Sequence, residues 1–305
     1  MTSILLTGAF SYSKEQLTAI EDLGCKTLFL SNEMDELAND ATSVEGVVCN
    51  GLFLHHDLSV FPQLKFIQLT SAGLDRVPID VIHERNIVLK NARGVYSTPM
   101  AEWVMMRVLE YYKHTLAFAD NQKRKEWIKD RELREIAGTR VAVIGAGNVG
   151  QEIARRFNAF GSKVIGFDPY CNGQPFFDSV VDVGQLHRRL SEFDIVILTA
   201  PLNKDTYHLM SYQLLNQLKK NAILVNIARG GLIDTTALTD VLSHRTDLYA
   251  ALDVFEEEPL PKTHPLWNMP NVSISPHNSF VGNGNNERLF KVIYQNLKEY
   301  IELNK

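Results

Sequence analysis

The ten-residue segment VAVIGAGNVG, at residues 141–150, restricts the fold of this chain more than any other feature. Apolar residues that predict a buried strand run directly into a GxGxxG turn, and apolar residues then recur at helical spacing. In such a unit Gly145 permits the tight turn, Gly147 lets the backbone approach a pyrophosphate, and Gly150 lets the helix pack closely on the sheet. Backbone N–H groups at the start of the helix then bind the anion. The segment therefore predicts a dinucleotide-binding βαβ unit.

An acidic side chain follows the next predicted strand, at residues 163–167. Asp168 stands about 20 residues after the last glycine of the turn, where an acid accepts hydrogen bonds from the adenosine ribose. The neighbouring Pro169 and Tyr170 offer no cation that could neutralise a 2′-phosphate. The sequence therefore predicts NAD rather than NADP.

Short apolar segments alternate with helical patterns along the chain and form two series. The first series predicts strands at 3–6, 26–30, 46–49, 66–69 and 87–89, and the second at 140–145, 163–168, 195–198, 222–226, 248–253 and 272–275. Such alternation indicates two open parallel sheets. A helical pattern at about 99–135 separates the series, as a connecting or dimer-facing helix, and another at about 285–304 ends the chain. Because chain termini often lie close together, we expect the final helix to pack on the first domain.

Bulk properties narrow the functional class. The chain has 305 residues, more than one hydrophobic core usually serves, and a net charge of −5, which disfavours nucleic acid as a partner. No apolar run approaches the roughly 18 residues of a membrane helix, and we see no basic leader. Cys25, Cys49 and Cys171 have no metal-ligand spacing. We expect a cytoplasmic protein without a membrane segment or a metal.

A charged run at 123–132 contains Trp127 and Ile128. Its positive and negative charges nearly cancel, which disfavours an anion site. We interpret it as a solvated helix face or a subunit contact.

Three segments follow predicted strands of the second series, where ligands of open α/β sheets bind. They are NIARGG at 226–231, LDVFEEEPL at 252–260 and SPHNS at 275–279. With these motifs the chain resembles the D-isomer-specific 2-hydroxyacid dehydrogenases, and the likeness extends to the cofactor region at 127–168, to APL at 200–202 and to HPLW at 264–267. The resemblance implies a Rossmann dinucleotide-binding domain, 96–283, inserted into a flavodoxin-like substrate domain made of 1–95 and 284–305.

The family's active-site arginine, glutamate and histidine correspond to Arg229, Glu258 and His277. Reduction of a 2-oxo acid places negative charge on the carbonyl oxygen, and a protonated imidazole both stabilises that charge and supplies the proton. Glu258 would favour protonated His277, and the planar fork of Arg229 would bind the substrate carboxylate and carbonyl. We take Glu258 rather than Glu256 or Glu257 because the family's catalytic acid precedes the Pro-Leu pair.

Other family positions imply contacts to cofactor and substrate. Asp253 is assigned to orientation of the nicotinamide carboxamide rather than to proton transfer. The full set of predicted cofactor-binding residues is Gly145, Gly147, Asn148, Val149, Gly150, Asp168, Ala200, Pro201, Thr206, Ile227, Ala228, Arg229 and Asp253. In the first domain, the loop TSAGLD at 70–75 suggests that Ser71, Ala72 and Gly73 hold the substrate carboxylate through backbone N–H groups, although an ordinary strand-to-helix turn has a similar sequence.

One departure from the family bears on the substrate. Phosphoglycerate-type relatives usually carry an arginine near Asn50, and this chain has none there, so we expect phosphorylated substrates to be disfavoured. Many of those relatives append a regulatory domain, and we expect this chain to represent the short form without it. Residues that would line a pocket for a neutral or apolar substituent, or belong to the ordinary core, are Leu52, Phe53, Tyr96 and Phe280.

The resemblance implies an NAD-dependent D-2-hydroxyacid dehydrogenase, a homodimer formed through about 98–135. Two alternatives stay open. Some members of the superfamily are NAD-sensing interaction proteins without enzymatic activity, and fold alone does not separate the roles. A formate-type dehydrogenase is disfavoured because that branch typically has glutamine where this chain has Glu258.

Overall fold

The computed structural model describes residues 2–37, 39–170 and 173–303, so Cys171 lies outside the described residues. Contacts divide the chain into two units, Met1–Tyr96 with Gly282–Lys305, and Ser97–Val281. Each unit is built around its own parallel sheet.

The described chain alternates strands with helices. The strands are β1 (Ser3–Thr7), β2 (Lys26–Leu30), β3 (Gly46–Cys49), β4 (Phe66–Leu69), β5 (Val88–Lys90), β6 (Arg140–Ile144), β7 (Lys163–Phe167), β8 (Ser179–Val181), β9 (Ile195–Leu198), β10 (Ile223–Asn226), β11 (Tyr249–Leu252) and β12 (Val272–Ile274). The α-helices are α1 (Lys14–Glu21), α2 (Ile79–Glu84), α3 (Ser97–Tyr112), α4 (Thr115–Arg124), α5 (Asn148–Ala159), α6 (Leu186–Arg189), α7 (Tyr212–Asn216), α8 (Thr235–His244) and α9 (Asn285–Leu303). Short 3₁₀ turns lie at Asn39–Ser43, Leu52–Leu54, Leu58–Val60, Val183–Gln185, Leu190–Glu192, Gly230–Leu232 and Pro265–Asn268.

The sheet of the first unit has the order β2-β1-β3-β4-β5, with every pair parallel. Strands β1, β3 and β4 are buried along their whole length, because helices cover both faces of the sheet. Helix α9 packs on this sheet, where the ring of Tyr300 stacks on Phe66 with centroids 4.7 Å apart. The flavodoxin-like order places the topological switch point between β1 and β3, where the chain winds to opposite sides.

The sheet of the second unit has the order β12-β11-β10-β9-β6-β7-β8 and is also parallel. Apolar residues of α3 and α5 pack on one face, and those of α6, α7 and α8 pack on the other. The switch point lies between β6 and β9. The predicted fold class is confirmed: two open parallel-sheet units, with the Rossmann unit inserted into the flavodoxin-like one.

The predicted helical stretch at 99–135 is not one helix, and its helical part ends at Arg124 rather than at 135. Helix α3 ends at Tyr112, and His114 takes a left-handed conformation with φ 49° before α4 begins. Helix α4 ends at Arg124, because Lys125 is again left-handed, with φ 57°. Residues 126–135 form no helix, so the charged run at 123–132 is largely not a helix face. Apolar periodicity does not reveal these two conformations, because neither residue is a glycine.

Strand β8 was not predicted from the sequence. It is a three-residue strand at the edge of the second sheet, and its side chains are exposed or only partly buried. A segment this short has no apolar alternation long enough to indicate a strand.

Candidate active site

The glycine turn lies between β6 and α5, as the sequence predicts. Gly145 has φ 104°, and a Cβ added there would lie 2.6 Å from the backbone nitrogen of Ala200. A Cβ at Gly150 would lie 2.2 Å from the carbonyl oxygen of Gly145. At Gly147, by contrast, a Cβ would meet no atom within 4 Å, and this residue provides no side-chain cap for α5. No side chain of the N-cap residue therefore covers the start of α5, and the turn fits the pyrophosphate of a dinucleotide.

Asp168 follows β7 and is held beside the glycine turn. Its Oδ2 accepts a hydrogen bond of 2.9 Å from the N–H of Ala146, and its Oδ1 accepts one of 2.8 Å from the N–H of Tyr170. Strand β7 neighbours β6, so the carboxylate lies next to the turn that would hold the pyrophosphate. This is the position that an acid needs in order to reach an adenosine ribose.

The end of β9 borders the same turn. The hydroxyl of Thr199 donates to the carbonyl of Gly145 over 2.7 Å, which fixes the end of β9 to the glycine turn. Further along, the hydroxyl of Thr206 donates to the carbonyl of Pro201, also over 2.7 Å. Thr199 was not singled out from the sequence, and its only signal is its place directly after a buried strand. The loop holding Ala200, Pro201 and Thr206 thus lies at the carboxyl edge, where cofactor contacts are predicted.

Asn226 shapes the loop that carries Arg229. Its buried amide donates to the carbonyl of Arg229 over 2.9 Å, and its Oδ1 accepts from the N–H of Ala228 over 3.1 Å. Gly230 packs against the next loop so closely that a Cβ there would lie 1.9 Å from the carbonyl carbon of Phe255. The loop after β10, with Ile227, is therefore packed on the loop after β11. Sequence reasoning missed these two supporting roles.

Glu258 and His277 contact each other directly. Oε2 of Glu258 lies 2.8 Å from Nδ1 of His277, and Oε1 accepts the N–H of Phe255 over 2.9 Å. His277 is left-handed, with φ 51°, and its ring meets that of Phe280 edge-on at 6.0 Å. In the described part of the chain Nε2 has no protein partner, and the side chain is 38% exposed. The imidazole is thus fixed through one nitrogen and presents the other.

Glu256 has a different partner from Glu258. Its carboxylate contacts Nε2 of His208 at 2.7 Å and accepts the N–H of Thr235, at the start of α8, over 2.9 Å. Burial opposes ionisation here, but the hydrogen bonds from His208 and Thr235 prevail and hold the pKa of the Glu256 carboxyl below its usual value. The geometry therefore separates Glu258, beside His277, from Glu256, which anchors the loop to α8.

Other histidines outside the predicted site also have structural partners. Nδ1 of His114 lies 2.6 Å from Asp130, and Nε2 of His56 lies 2.9 Å from the carbonyl of Glu33. With His208 paired to Glu256, these three histidines have structural partners and are not candidates for the acid and base.

Asp253 supports the turn that carries His277. Its fully buried carboxylate accepts hydrogen bonds from the hydroxyl of Ser275 and from the N–H groups of Asn278 and Ser279, the last two over 2.8 and 2.9 Å. Its carbonyl accepts the N–H of His277 over 2.8 Å. Sequence reasoning assigned Asp253 to cofactor orientation and missed this contribution, which depends on residues more than twenty positions away.

The predicted substrate loop lies at the carboxyl edge of the first sheet, directly after β4. Two of its carbonyls accept hydrogen bonds from other parts of the first unit. The carbonyl of Ser71 accepts the N–H of Ala92, and that of Ala72 accepts the side-chain amide of Asn91 over 2.7 Å. In the described residues, the N–H groups of Ala72 and Gly73 have no protein acceptor. The loop can therefore offer these two donors to a carboxylate.

The residues proposed to line a pocket lie in different surroundings. Phe53 is partly buried against the core of the first unit, where its ring meets that of Phe61 edge-on at 6.1 Å. Leu52 is fully buried and belongs to the core of the first unit, so it is not a pocket wall. Tyr96 donates its hydroxyl to the carbonyl of Thr70. Phe280 is 40% exposed beside His277 and stays a candidate.

Comparison with known proteins identifies the family. The family model described as the NAD-binding domain of D-isomer specific 2-hydroxyacid dehydrogenases matches residues 105–279, more than half of the chain. The chain belongs to the D-isomer-specific 2-hydroxyacid dehydrogenase family. The predicted family and its NAD-binding domain are thereby confirmed.

Individual proteins align along much of the chain. A D-3-phosphoglycerate dehydrogenase of Methanocaldococcus jannaschii is 34% identical over 286 residues, which cover 91% of this chain and 53% of the relative. The chain thus spans about half the length of that protein. A hydroxypyruvate reductase of Thermotoga maritima is 33% identical over 70% of each chain. A crystal structure of a family protein from Aeromonas salmonicida superposes with a TM-score of 0.85 at 26% identity, covering 99% of this chain and 96% of the other.

Within the described ranges, no group of three or more histidine, cysteine or acidic residues is arranged to hold a metal ion. Over the same residues, no helix combines the length and apolar character required to cross a bilayer.

Proposed function

We propose that this chain is an NAD-dependent D-2-hydroxyacid dehydrogenase that works as a 2-oxoacid reductase, with His277 as general acid and base. The observation that carries the proposal is the 2.8 Å contact between Glu258 and Nδ1 of His277, which leaves Nε2 without a protein partner in the described chain. A carboxylate behind one imidazole nitrogen and a reacting group before the other is the arrangement that general acid–base catalysis needs.

In the direction of reduction, Nε2 of protonated His277 donates its proton to the carbonyl oxygen of the substrate as negative charge develops there. In the direction of oxidation, neutral His277 accepts the hydroxyl proton, and Glu258 stabilises the imidazolium that forms. Arg229 binds the carboxylate and carbonyl of the substrate through two N–H donors. In the first unit, the backbone of Ser71, Ala72 and Gly73 is the predicted carboxylate-binding loop. When bound, the nicotinamide cofactor supplies or receives the hydride.

NAD binding is supported by the glycine turn, where no N-cap side chain covers the start of α5, and by Asp168 beside that turn. A 2′-phosphate would meet the negative charge of Asp168, and neither Pro169 nor Tyr170 can offset it. We therefore propose NAD as the preferred coenzyme.

We also propose that the protein is a homodimer in the cytoplasm. Trp127 is 94% exposed and Ile128 is 57% exposed, on the segment that follows α4. A large exposed indole beside an aliphatic side chain is typical of a protein interface. This surface favours a second copy of the chain as its partner, and the measured mass in solution tests it.

The experiment that tests the activity is a steady-state screen of glyoxylate, hydroxypyruvate, pyruvate and branched 2-oxo acids with NADH and NADPH. We expect reduction of at least one short 2-oxo acid with NADH. Tight NADH binding without turnover of any 2-oxo acid would favour the alternative, an NAD-sensing interaction protein. Turnover of formate with NAD would favour the formate-type alternative.

A further inference from the structure

Two backbone turns lie side by side at the carboxyl edge of the first sheet. Strands β3 and β4 pair with Cys49 opposite Leu69, and the N–H of Thr70 donates to the carbonyl of Cys49 over 2.8 Å. The turn after β3, Asn50 and Gly51, therefore neighbours the predicted substrate loop after β4. Both turns lie at the carboxyl edge beside the β1/β3 switch point, where open α/β sheets bind ligands.

The turn after β3 binds an anion that belongs to the protein itself. The carboxylate of Glu33 accepts the N–H of Asn50 over 2.7 Å and the N–H of Gly51 over 2.6 Å. The hydroxyl of Thr7, at the end of β1, also donates to it over 2.7 Å. Three converging donors form a nest of the kind that holds phosphate or carboxylate ligands. The substrate loop offers two open N–H groups, whereas this nest is already filled.

The negative charge of Glu33 has no cationic partner among the described residues. Its influence reaches the neighbouring strand, because burial together with the charge of Glu33 raises the pKa of the Cys49 thiol well above its usual value. The side-chain oxygen of Asn50 is buried there without a hydrogen-bond partner in the described chain. The turn after β3 therefore carries negative charge, and its two backbone N–H donors are already occupied.

We propose that Glu33 determines substrate specificity: by filling the nest after β3, it admits 2-oxo acids with a neutral or donor-bearing tail and excludes those with a second anionic group. This inference deepens the proposed function and rests on it. A substrate carboxylate bound by the N–H groups of Ala72 and Gly73 directs the rest of the molecule towards the neighbouring turn. A second anion there meets the Glu33 carboxylate in place of free N–H donors, and like charges at short range repel.

The test compares two substrates that share the reacting centre and differ in the charge of the tail, 2-oxobutyrate and oxaloacetate. In the wild type we expect a much lower kcat/KM for oxaloacetate. Glu33→Gln keeps the shape and an acceptor oxygen but removes the charge, and it should raise the ratio of oxaloacetate to 2-oxobutyrate efficiency by about tenfold or more. A change in this ratio reports charge at the tail, whereas a purely structural role of Glu33 would lower both efficiencies together.

Glu45→Gln is the matched control, because Glu45 lies before β3, at the opposite edge of the same sheet, in an ion pair with Lys65. It should leave the ratio within about twofold of wild type. An unchanged ratio in folded Glu33→Gln, or a wild type that uses oxaloacetate as well as 2-oxobutyrate, would overturn the proposal. A wild type without turnover of any 2-oxo acid would instead refute the proposed dehydrogenase activity itself.

Discussion

Oε2 of Glu258 holds Nδ1 of His277 at 2.8 Å while the other carboxylate oxygen is fixed by the N–H of Phe255. The carboxylate is thus anchored by the backbone of its own loop and in turn orients the imidazole. Asp253 fixes the turn that carries His277: its carbonyl accepts the N–H of His277, and its carboxylate accepts the N–H groups of the next two residues. The ring is therefore positioned by two acids that act on different atoms.

Glu258→Gln tests the electrostatic part of this arrangement. Without the negative charge, the imidazolium that forms at His277 when the hydroxy acid is oxidised loses its stabilising partner. We therefore expect kcat for oxidation to fall by about tenfold or more while NAD still binds. Steady-state rates of the variant and the wild type measure this loss, and an unchanged kcat in a folded variant would remove Glu258 from the pairing.

Asp168→Ser combined with Pro169→Arg should weaken the preference for NAD. The change removes the carboxylate beside Ala146 that would repel a 2′-phosphate and supplies a cation that can bind it. The ratio of kcat/KM with NADPH to that with NADH should rise by about tenfold or more. If the unmodified protein already prefers NADPH, the assignment of Asp168 is wrong.

Gly230→Ala should lower the stability of the protein, whereas Gly147→Ala should weaken only its binding of NADH. A Cβ at Gly230 overlaps the backbone of Phe255, so we expect a loss of stability of about 1–3 kcal/mol and lower activity, since the loop of Arg229 is displaced. A Cβ at Gly147 meets no protein atom, so the melting temperature should stay the same while NADH binds about tenfold more weakly. Calorimetry and NADH titration separate the two. Equal melting temperatures for both variants would contradict the packing argument.

A remote phosphate on the substrate should be poorly tolerated. No arginine lies in the Asn50 turn, and the backbone N–H donors of that turn already bind the carboxylate of Glu33. A phosphate buried without a cation loses hydration that nothing replaces, which costs several kcal/mol, or about two or more powers of ten in kcat/KM. Comparing hydroxypyruvate with its 3-phospho form measures this, and a preference for the phosphorylated compound would contradict it.

The parts of the fold and site that could be predicted are those with local signatures. The turn at Gly145, Gly147 and Gly150 has its strand and helix in adjacent sequence, and the family motifs identify Glu258 and His277, which do lie in contact. The helix interruptions at His114 and Lys125 could not be predicted, because these residues take left-handed conformations although neither is a glycine.

Hydrogen bonds between residues far apart in the chain could not be predicted from the sequence either. Glu33 stands in a polar loop without any pattern, and only the folded sheet brings it to the turn at Asn50. Asp253 likewise appeared as a single acid after a strand, although its carboxylate closes the turn around His277. Such roles depend on the register between strands, which a local pattern does not encode.

The most direct test of the central claim is the turnover of His277→Ala and wild type, measured side by side with NADH and the best 2-oxo acid from the screen. Fluorescence titration of NADH and the melting temperature serve as controls for cofactor binding and folding. Because general acid catalysis contributes roughly 10²- to 10⁴-fold, we expect kcat to fall by at least about a hundredfold while NADH still binds. Near-normal turnover in a folded variant that binds NADH would contradict the assignment of His277 as the general acid and base.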